Sequence, residues 1–268
     1  MLKKRIIPVI LFKDGYIVQS VNFQEFQNLG DPFSIIKRLS KWMSDEIIYL
    51  NISNKKDFKN FRTDLKFKDK FSSFSQIINH ISENLICPIT YGGNINTIKD
   101  IEEYLRAGAD KVSVNSAAIN NIKFIDEASK EFGSQCIVVS IDYLKLDNKY
   151  LVVSKGKKIT KIDLFDHLKE CCDHGCGEIL LNSVERDGKK KGYDLEIIDK
   201  VINKINIPLI ILGGAGNSDH FVEAFSKTKI SSLAAANLFN HIEHGDFKIK
   251  KDLNKYFNDI RKPNFFEI

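Results

Sequence analysis

Short apolar runs rich in Ile and Val alternate along the chain with longer stretches in which apolar residues recur at helical spacing. The runs have the length and the β-branched composition of strands that are buried on both faces. We predict eight strands, which lie at 5–12, at 45–52, from Pro88 onward, and at 111–114, 136–142, 178–183, 207–212 and 231–237. Helices are predicted to open at 30–32 and to cover 75–83, 98–106, 122–131, 162–172, 220–225 and 248–261, with one more between strands six and seven.

The regular alternation of strand and helix favours a closed barrel over an open sheet. Residues 87–94 and 207–216 share one pattern, in which an apolar run meets a Gly-rich turn and leads into a helix and another short strand. Such a repeat indicates two duplicated half-barrels. We therefore predict an α/β fold, a (β/α)8 TIM barrel that forms one domain over residues 1–268, with the charged, aperiodic segment at about 54–70 as an insertion.

Composition and charge narrow the classes of function. The net charge of +5 is spread along the chain, without the basic clusters and interleaved aromatics of a nucleic-acid-binding surface. No apolar stretch is long enough to span a membrane, and the first apolar run is too short for a signal peptide, so we expect a cytoplasmic protein without nucleic-acid or membrane partners. The cysteine cluster at 171–176 lacks a second ligand pair and indicates a helix end rather than a zinc site, so no metal or cofactor is expected.

The carboxyl ends of the strands are where a barrel of this kind holds its active site. Asp142 is the one general acid or base among the residues that end the predicted strands, although an Asp there can also form a turn. The Gly-rich turns at Gly93 and at Gly213 and Gly214 suit phosphate binding by backbone N–H groups, although such turns are also common where the chain is merely tight. The segments 149–157 and 185–194 are predicted to form a small hairpin and a flexible polar loop.

Further short motifs are spread over nearly the whole chain outside 54–70. They are KRII at 4–7, KDG at 13–15, NF at 22–23, GDP at 30–32, DE at 45–46, RAGADKVS at 106–113, FGSQ at 132–135, RDG at 186–188, GYD at 192–194, GGAG at 213–216 and AA at 235–236. Together they resemble the cyclase subunit of imidazole glycerol phosphate synthase.

This resemblance implies a barrel that forms a heterodimer with a glutaminase subunit. Ammonia from the glutaminase would enter at the amino-terminal face, cross the barrel and meet a substrate with two phosphates, which is cleaved and cyclised. The family's entrance gate of alternating charges matches four residues that open strands: Arg5, Glu46, Lys111 and Glu178. A set of solvated strand-start charges is the plainer alternative, but the alternation of sign fits it less well.

The resemblance is weaker at the carboxyl ends of the strands. The family uses two aspartates as acid and base, and Asp142 matches the second, whereas Leu11 stands where the first is expected and cannot carry a proton. The phosphate- and substrate-binding positions implied by the family are Gly93, Asn94, Asn115, Ser116, Gly213, Gly214, Ala236 and Asn237. Other departures are Gln19 for Lys, Asn51 for Asp, Asn94 for Gly, Asn182 for Thr, Ser116 for Thr, Leu212 for Ser and Asn237 for Ser.

Three functions fit a chain that matches the family at the entrance gate and departs from it at the carboxyl ends of the strands. The first is an ammonia-conducting barrel that is similar to the diverged relatives associated with acetamidino modification of bacterial surface sugars, and that feeds a separate sugar amidotransferase. The second is a genuine cyclase of histidine biosynthesis in which another group or water replaces the missing acid. The third is a non-catalytic scaffold that holds the glutaminase. Leu11 favours the first function over the second, and the matching gate favours it over the third.

Overall fold

A computed structural model of the chain describes residues 3–21, 23–32, 35, 39, 44–53, 73–155, 158–241 and 244–262. The strands are β1 (Arg5–Lys13), β2 (Tyr16–Val21), β3 (Glu25–Gly30), β4 (Ile47–Asn51), β5 (Ile89–Gly92), β6 (Lys111–Val114), β7 (Ile137–Leu146), β8 (Lys149–Ser154), β9 (Lys158–Asp163), β10 (Glu178–Ser183), β11 (Leu209–Leu212) and β12 (Ser232–Ala235). Helices cover Phe74–Ser82, Ile98–Arg106, Ser116–Asn120, Lys123–Phe132, Leu164–Asp173, Leu195–Ile202, Ser218–Lys227, Leu238–His241 and Gly245–Leu253.

Eight parallel strands close into a barrel, in the order β1, β4, β5, β6, β7, β10, β11 and β12. The closure is complete because β12 pairs with β1, from Arg5 opposite Ser232, and β7 pairs with β10, from Val138 opposite Glu178. Helices follow the strands in the alternation that the sequence predicts. The (β/α)8 fold predicted from the sequence is therefore confirmed.

Both faces of each barrel strand are buried, one inside the barrel and the other against the helices. Because successive side chains point to opposite faces, every second residue of a strand turns into the barrel and the others turn toward the helices. The outward set packs with the helices in one large apolar core that includes Ile6, Ile47 and Val139. The inward set includes Ile7, Ile48 and Val138 in a separate small cluster. This double burial explains why the strands are continuous apolar runs.

Antiparallel extensions rise from two of the barrel strands, both at the carboxyl end. The hairpin β2–β3 follows β1, with Leu11 opposite Val18. The strands β8 and β9 continue from β7, with Asp142 opposite Val153. The sequence indicates a hairpin at 149–157, but it does not predict the hairpin β2–β3 or the second strand at 158–163.

Most predicted helices and strands lie within a few residues of their predicted bounds. The larger error is the last helix, which covers Gly245–Leu253 rather than 248–261. The short helix Ser116–Asn120 was not predicted. In the helix predicted to open at 30–32, positions 32, 35 and 39 are helical, and the insertion predicted at about 54–70 lies outside the described residues. Within the described part of the chain, no helix has the length and apolar character needed to cross a membrane.

Candidate active site

The amino-terminal end of the barrel is closed by four charged side chains, which we call the floor ring: Arg5, Glu46, Lys111 and Glu178. Arg5 Nη1 donates to Glu46 Oε2 at 2.8 Å, and Arg5 Nη2 donates to Glu178 Oε1. Lys111 Nζ lies 3.1 Å from Glu46 Oε1 and 2.7 Å from Glu178 Oε2. Each cation thus contacts both carboxylates, and each carboxylate contacts both cations.

Burial and pairing act against each other in the floor ring. Both carboxylates are almost fully buried, whereas Arg5 and Lys111 keep about a quarter of their side-chain surface exposed. Burial alone would raise the pKa of Glu178, but Arg5 and Lys111 outweigh it and hold the pKa below its ordinary value. Burial would lower the pKa of Arg5, but Glu178 and Glu46 raise it above its ordinary value. Arg5 and Glu178 therefore both stay charged at neutral pH.

Above the floor ring, the barrel interior has one polar and one apolar wall. The buried hydroxyls of Thr90, Ser113 and Ser140 lie on the neighbouring strands β5, β6 and β7. The remaining interior is apolar, and its members are Ile7, Val9, Ile48, Val138, Leu180, Ile210, Leu212 and Ala234. A small polar molecule that crosses the barrel would meet hydroxyl groups along one side only.

The carboxyl end of the barrel, which we call the mouth, holds a cavity of about 580 Å³. It reaches down to Ser113 and Ser140 and is covered in part by Phe23 and Phe26 of the β2–β3 region. Of the predicted site residues, those that line it are Gly93, Asn94, Asn115, Ser116, Asp142 and Ala236. The cavity has the size of a small-molecule site.

Asp142 lies on β7 at the wall of this cavity, between two amide side chains. Asn182 Nδ2 donates to Asp142 Oδ1 at 2.8 Å, and Asn115 Nδ2 donates to Asp142 Oδ2 at 3.0 Å. Burial raises the pKa of Asp142 to about 6, although the two amides oppose the change, and the charge of Asp187 adds to it. A carboxylate of this kind is charged at neutral pH and is a competent proton acceptor.

Leu11 faces Asp142 across the mouth, where the family pattern has a second carboxylate. It lies opposite Leu50 in the pairing of β1 with β4 and packs against the small inner cluster that contains Leu212. Three leucines thus form an apolar surface on this side of the cavity. The sequence shows the absence of one carboxylate, and the structure shows that apolar contacts fill its place.

The predicted phosphate-binding residues fall into two groups on different sides of the mouth. Gly93, Asn94, Asn115 and Ser116 follow β5 and β6, and a Cβ at Gly93 would lie 1.9 Å from Asn51 O, so only glycine fits there. Gly213, Gly214, Ala236 and Asn237 follow β11 and β12. Gly214 O accepts a hydrogen bond from Gly192 N at 2.9 Å, so the loop after β10 lies against this second turn.

Besides Asn115, which donates to Asp142, two more of the predicted polar side chains already have protein partners. Asn94 Nδ2 donates to Ser53 O at 3.1 Å. Asn237 Nδ2 donates to Ser20 O at 2.7 Å, and Asn237 Oδ1 accepts from Ser20 N at 3.4 Å. In this arrangement Asn237 ties the hairpin β2–β3 to the end of β12. Any phosphate at the second turn would therefore rely on backbone N–H groups.

Asp187 is a cavity residue that reasoning from the sequence missed. Its Oδ2 accepts from Ser20 Oγ at 3.0 Å and from Phe23 N at 3.4 Å, so it also fixes the hairpin β2–β3. Burial raises its pKa, although these two donors oppose the change. The signal was present in the RDG motif at 186–188, but its charge run was interpreted as part of a flexible loop.

Together, the fold and the site define a class of protein. It is a (β/α)8 barrel with a small-molecule cavity at the carboxyl ends of its strands, the buried carboxylate of Asp142 in the wall of that cavity and a charged floor at the other end.

Comparisons with known proteins identify the family within this class. The model of the family described as "Histidine biosynthesis protein" matches residues 5–244. The imidazole glycerol phosphate synthase subunit HisF of Streptococcus mutans is 38% identical over 263 residues, which cover 97% of this chain and 100% of that protein. The proteins of the same name from Hydrogenobaculum and Bacillus cereus are 39% and 37% identical, over 90% and 97% of this chain and 91% and 100% of their own lengths. The chain belongs to the family of imidazole glycerol phosphate synthase subunit HisF.

Proposed function

We propose that this chain conducts ammonia from a bound glutaminase subunit to the mouth of the barrel, for amidation of a bacterial surface sugar, with little cyclase activity of its own. The observation that carries the proposal is the combination of a complete floor ring with a mouth in which Leu11 replaces one of two expected carboxylates. The entrance is kept, while half of the acid–base pair is missing.

The floor ring suits the entry of a small neutral molecule. Its four ion pairs close the barrel to bulk water, and its two cations remain accessible from outside, where a partner can contact them. Once past the floor ring, ammonia meets the hydroxyls of Thr90, Ser113 and Ser140, each of which can exchange hydrogen bonds with it. The glutaminase would bind over the floor ring, as a heterodimer.

The mouth suits acceptance of a proton better than cyclisation. Asp142 is ionised above about pH 6 and can accept a hydrogen bond, or a proton, from ammonia or ammonium that reaches the mouth. The reaction attributed to the family needs a second group to donate a proton, and loss of one general acid or base costs about 10²- to 10⁴-fold in rate. A separate sugar amidotransferase would then complete the amidation.

The mouth would still bind a phosphorylated small molecule. Gly213 and Gly214 have φ values of +102° and +101°, which glycine adopts readily. A turn of this shape can present its backbone N–H groups to a phosphate. Ala236 directly follows the neighbouring strand β12. Because backbone N–H groups are the donors, the side chain of Asn237 is not required. A phosphate or sulfate soak that leaves an ordered turn empty would count against this binding site.

A second candidate is the cyclase subunit of imidazole glycerol phosphate synthase. The likeness to its HisF subunits extends over nearly the whole chain. In addition, Asp187 lines the cavity that contains Asp142 and supplies a second carboxylate there. For this function, Asp187 would act in place of the aspartate that the family pattern has at the position of Leu11.

Deletion of the gene in its own organism distinguishes the two candidates. The proposal expects a strain that grows without histidine but whose surface sugar lacks the acetamidino group, and a plasmid copy of the gene should restore that group. A plasmid copy that carries Asp142→Asn tests whether the remaining carboxylate is needed for the function. A histidine requirement in the deletion strain would establish the cyclase instead. Normal sugar and normal growth would refute both.

A further inference from the structure

The members of the floor ring have different numbers of additional contacts. Besides its bonds to the two carboxylates, Arg5 donates from Nε to Ser232 Oγ at 2.9 Å. Its guanidinium is thus bound on three sides, through Nε, Nη1 and Nη2. A planar guanidinium with all three nitrogens engaged has one orientation, because rotation about its stem breaks several charge-assisted bonds at once.

The burial and the position of Ser232 suit its hydrogen bond with Arg5. It lies on β12 directly opposite Arg5 and is fully buried. The next residues on the same side of the strand are Ala234 and Ala236, which follow at the period of two. An alanine would thus continue the series at position 232, and a buried hydroxyl costs free energy unless it is hydrogen-bonded.

We infer that Ser232 is a positioning residue of the floor ring. It fixes the Arg5 guanidinium in the plane that reaches both Glu46 and Glu178. Without the hydroxyl, Arg5 keeps its charge and its carboxylate partners, but its Nε is no longer held and the guanidinium turns more freely. Because the floor ring closes the barrel, this looser Arg5 would let ammonia escape. The consequence for ammonia rests on the proposed function, whereas the positioning of Arg5 does not.

The first measurement needs no partner protein. In the full chain labelled with ¹⁵N, exchange of the Arg5 Nε–H proton with water is followed by NMR at neutral pH. We expect Ser232→Ala to speed this exchange about tenfold or more, since a hydrogen bond to a charged group is lost. The matched control is Ser231→Ala, because residue 231 contacts Arg5 through its backbone carbonyl and that bond remains. Unchanged Arg5 exchange in a folded Ser232→Ala protein would overturn the inference.

The second measurement uses the complex with the glutaminase subunit. Glutamine with a ¹⁵N-labelled amide is supplied, and the share of label released into the solvent is compared between variants. We expect Ser232→Ala to raise this share at least twofold, and to have no further effect when Arg5→Lys has already removed Nε. Equal release of label by the wild-type and Ser232→Ala complexes would refute the role of Ser232 in the retention of ammonia. If the wild-type complex transfers no label, the proposed function fails, but the exchange measurement still decides whether Ser232 positions Arg5.

Discussion

At the residue scale, Leu11 affects the packing as well as the chemistry of the mouth, since it stands where the resemblance implies a carboxylate. Leu11 contacts an apolar surface formed with Leu50 and Leu212, so the site has adapted to an uncharged side chain. Reintroduction of a carboxylate would place a charge against three apolar neighbours, and its pKa would rise. The missing acid is therefore not restored by one substitution.

For the Leu11→Asp variant we expect lower stability and little cyclase activity with free ammonia. The free energy of unfolding should fall by about 1–3 kcal/mol at pH 8, because a polar group is buried without a partner. The control is Leu11→Asn, which has nearly the same shape without the charge. Chemical denaturation gives the stability and product formation gives the activity. Turnover of about 1 s⁻¹ or faster by the unaltered chain would contradict the proposed function.

Asp246 gives a second prediction at this scale, since it is fully buried near the start of the last helix. Its side chain accepts a hydrogen bond from Ser44, and Lys250 and Asp45 lie close by. Burial raises the pKa of Asp246 to about 7, although Ser44 and Lys250 oppose the change. The folded chain therefore binds a proton that the unfolded chain loses above about pH 4, and this group makes the protein less stable as the pH rises from 4 to 7.

Asp246→Asn should remove this dependence on pH. The free energy of unfolding of the variant, minus that of wild type, should rise by about 1–3 kcal/mol between pH 5 and pH 8. The size of this difference at pH 5 does not matter for the test. Asp252→Asn is the control, because Lys255 and Ser218 hold the pKa of Asp252 below its ordinary value, so this carboxyl is charged in the folded and the unfolded chain alike between pH 5 and pH 8 and its removal should leave the curve parallel to that of wild type. Parallel stability curves for wild type and Asp246→Asn would contradict this account.

At the scale of the element, the hairpin β2–β3 depends on side chains that belong to other loops. Its strand β3 is largely exposed, and Leu29 is its residue that packs against the apolar core. Ser20 is instead tied to Asn237 and Asp187, which follow β12 and β10. The hairpin is therefore held by the buried side chains of Ile17 and Val18 on β2 and, over the cavity, by these polar contacts.

Asn237→Ala should loosen this hairpin without unfolding the barrel. We expect amide hydrogen exchange across Tyr16–Val21 and Glu25–Gly30 to become about 5- to 30-fold faster, since two hydrogen bonds to the backbone of Ser20 are lost. Asn240→Ala is the control, since Asn240 lies one turn further on and its amide donates to Ala236 O instead. An equal rise in both variants, or in the barrel strands, would refute the specific role of Asn237.

The same elements show what the sequence can and cannot predict. The barrel strands and the floor ring follow from apolar runs and from charges at strand starts, which are local signals. The hairpin β2–β3 does not follow from the sequence because β3 is mostly polar and exposed, and because the contacts of the hairpin to Asn237 and Asp187 lie far away in sequence. The last helix was misplaced because Asp246 and Lys250 are buried in an ion-pair cluster, whereas their charges predict solvent exposure.

At the scale of the whole molecule, the two most exposed large apolar side chains among the described residues lie at the amino-terminal end of the barrel. Ile86 precedes β5 at the amino-terminal end and is 82% exposed. Tyr256 follows the helix Gly245–Leu253 and is 66% exposed, near the bridge between Lys4 and Ile260. Both flank the floor ring, where the proposed glutaminase would bind, and exposed apolar residues of this kind are typical of interfaces.

Ile86→Asp should weaken the proposed heterodimer. We expect Kd for the glutaminase subunit to rise about tenfold or more, because an exposed apolar side chain at an interface is replaced by a charge. The matched control is Ile159→Asp, which alters an exposed isoleucine on β9, at the mouth. Calorimetric titration gives Kd for both. Equal affinity for wild type and Ile86→Asp would remove this residue from the interface, and a loss only in Ile159→Asp would place the partner at the mouth.

The pairing of β1 with β12 has a consequence for synthesis on the ribosome. Arg5 and Ser232 are neighbours in the barrel but lie 227 positions apart in the chain. At about 5–20 residues per second, roughly 10–45 s separate their synthesis. Throughout that interval, positions 5–8 of β1 lack the strand that pairs with them in the closed barrel, and the nascent chain carries an open sheet edge there. The floor ring needs only residues 5 to 178, so its four charges are all synthesised well before the barrel can close.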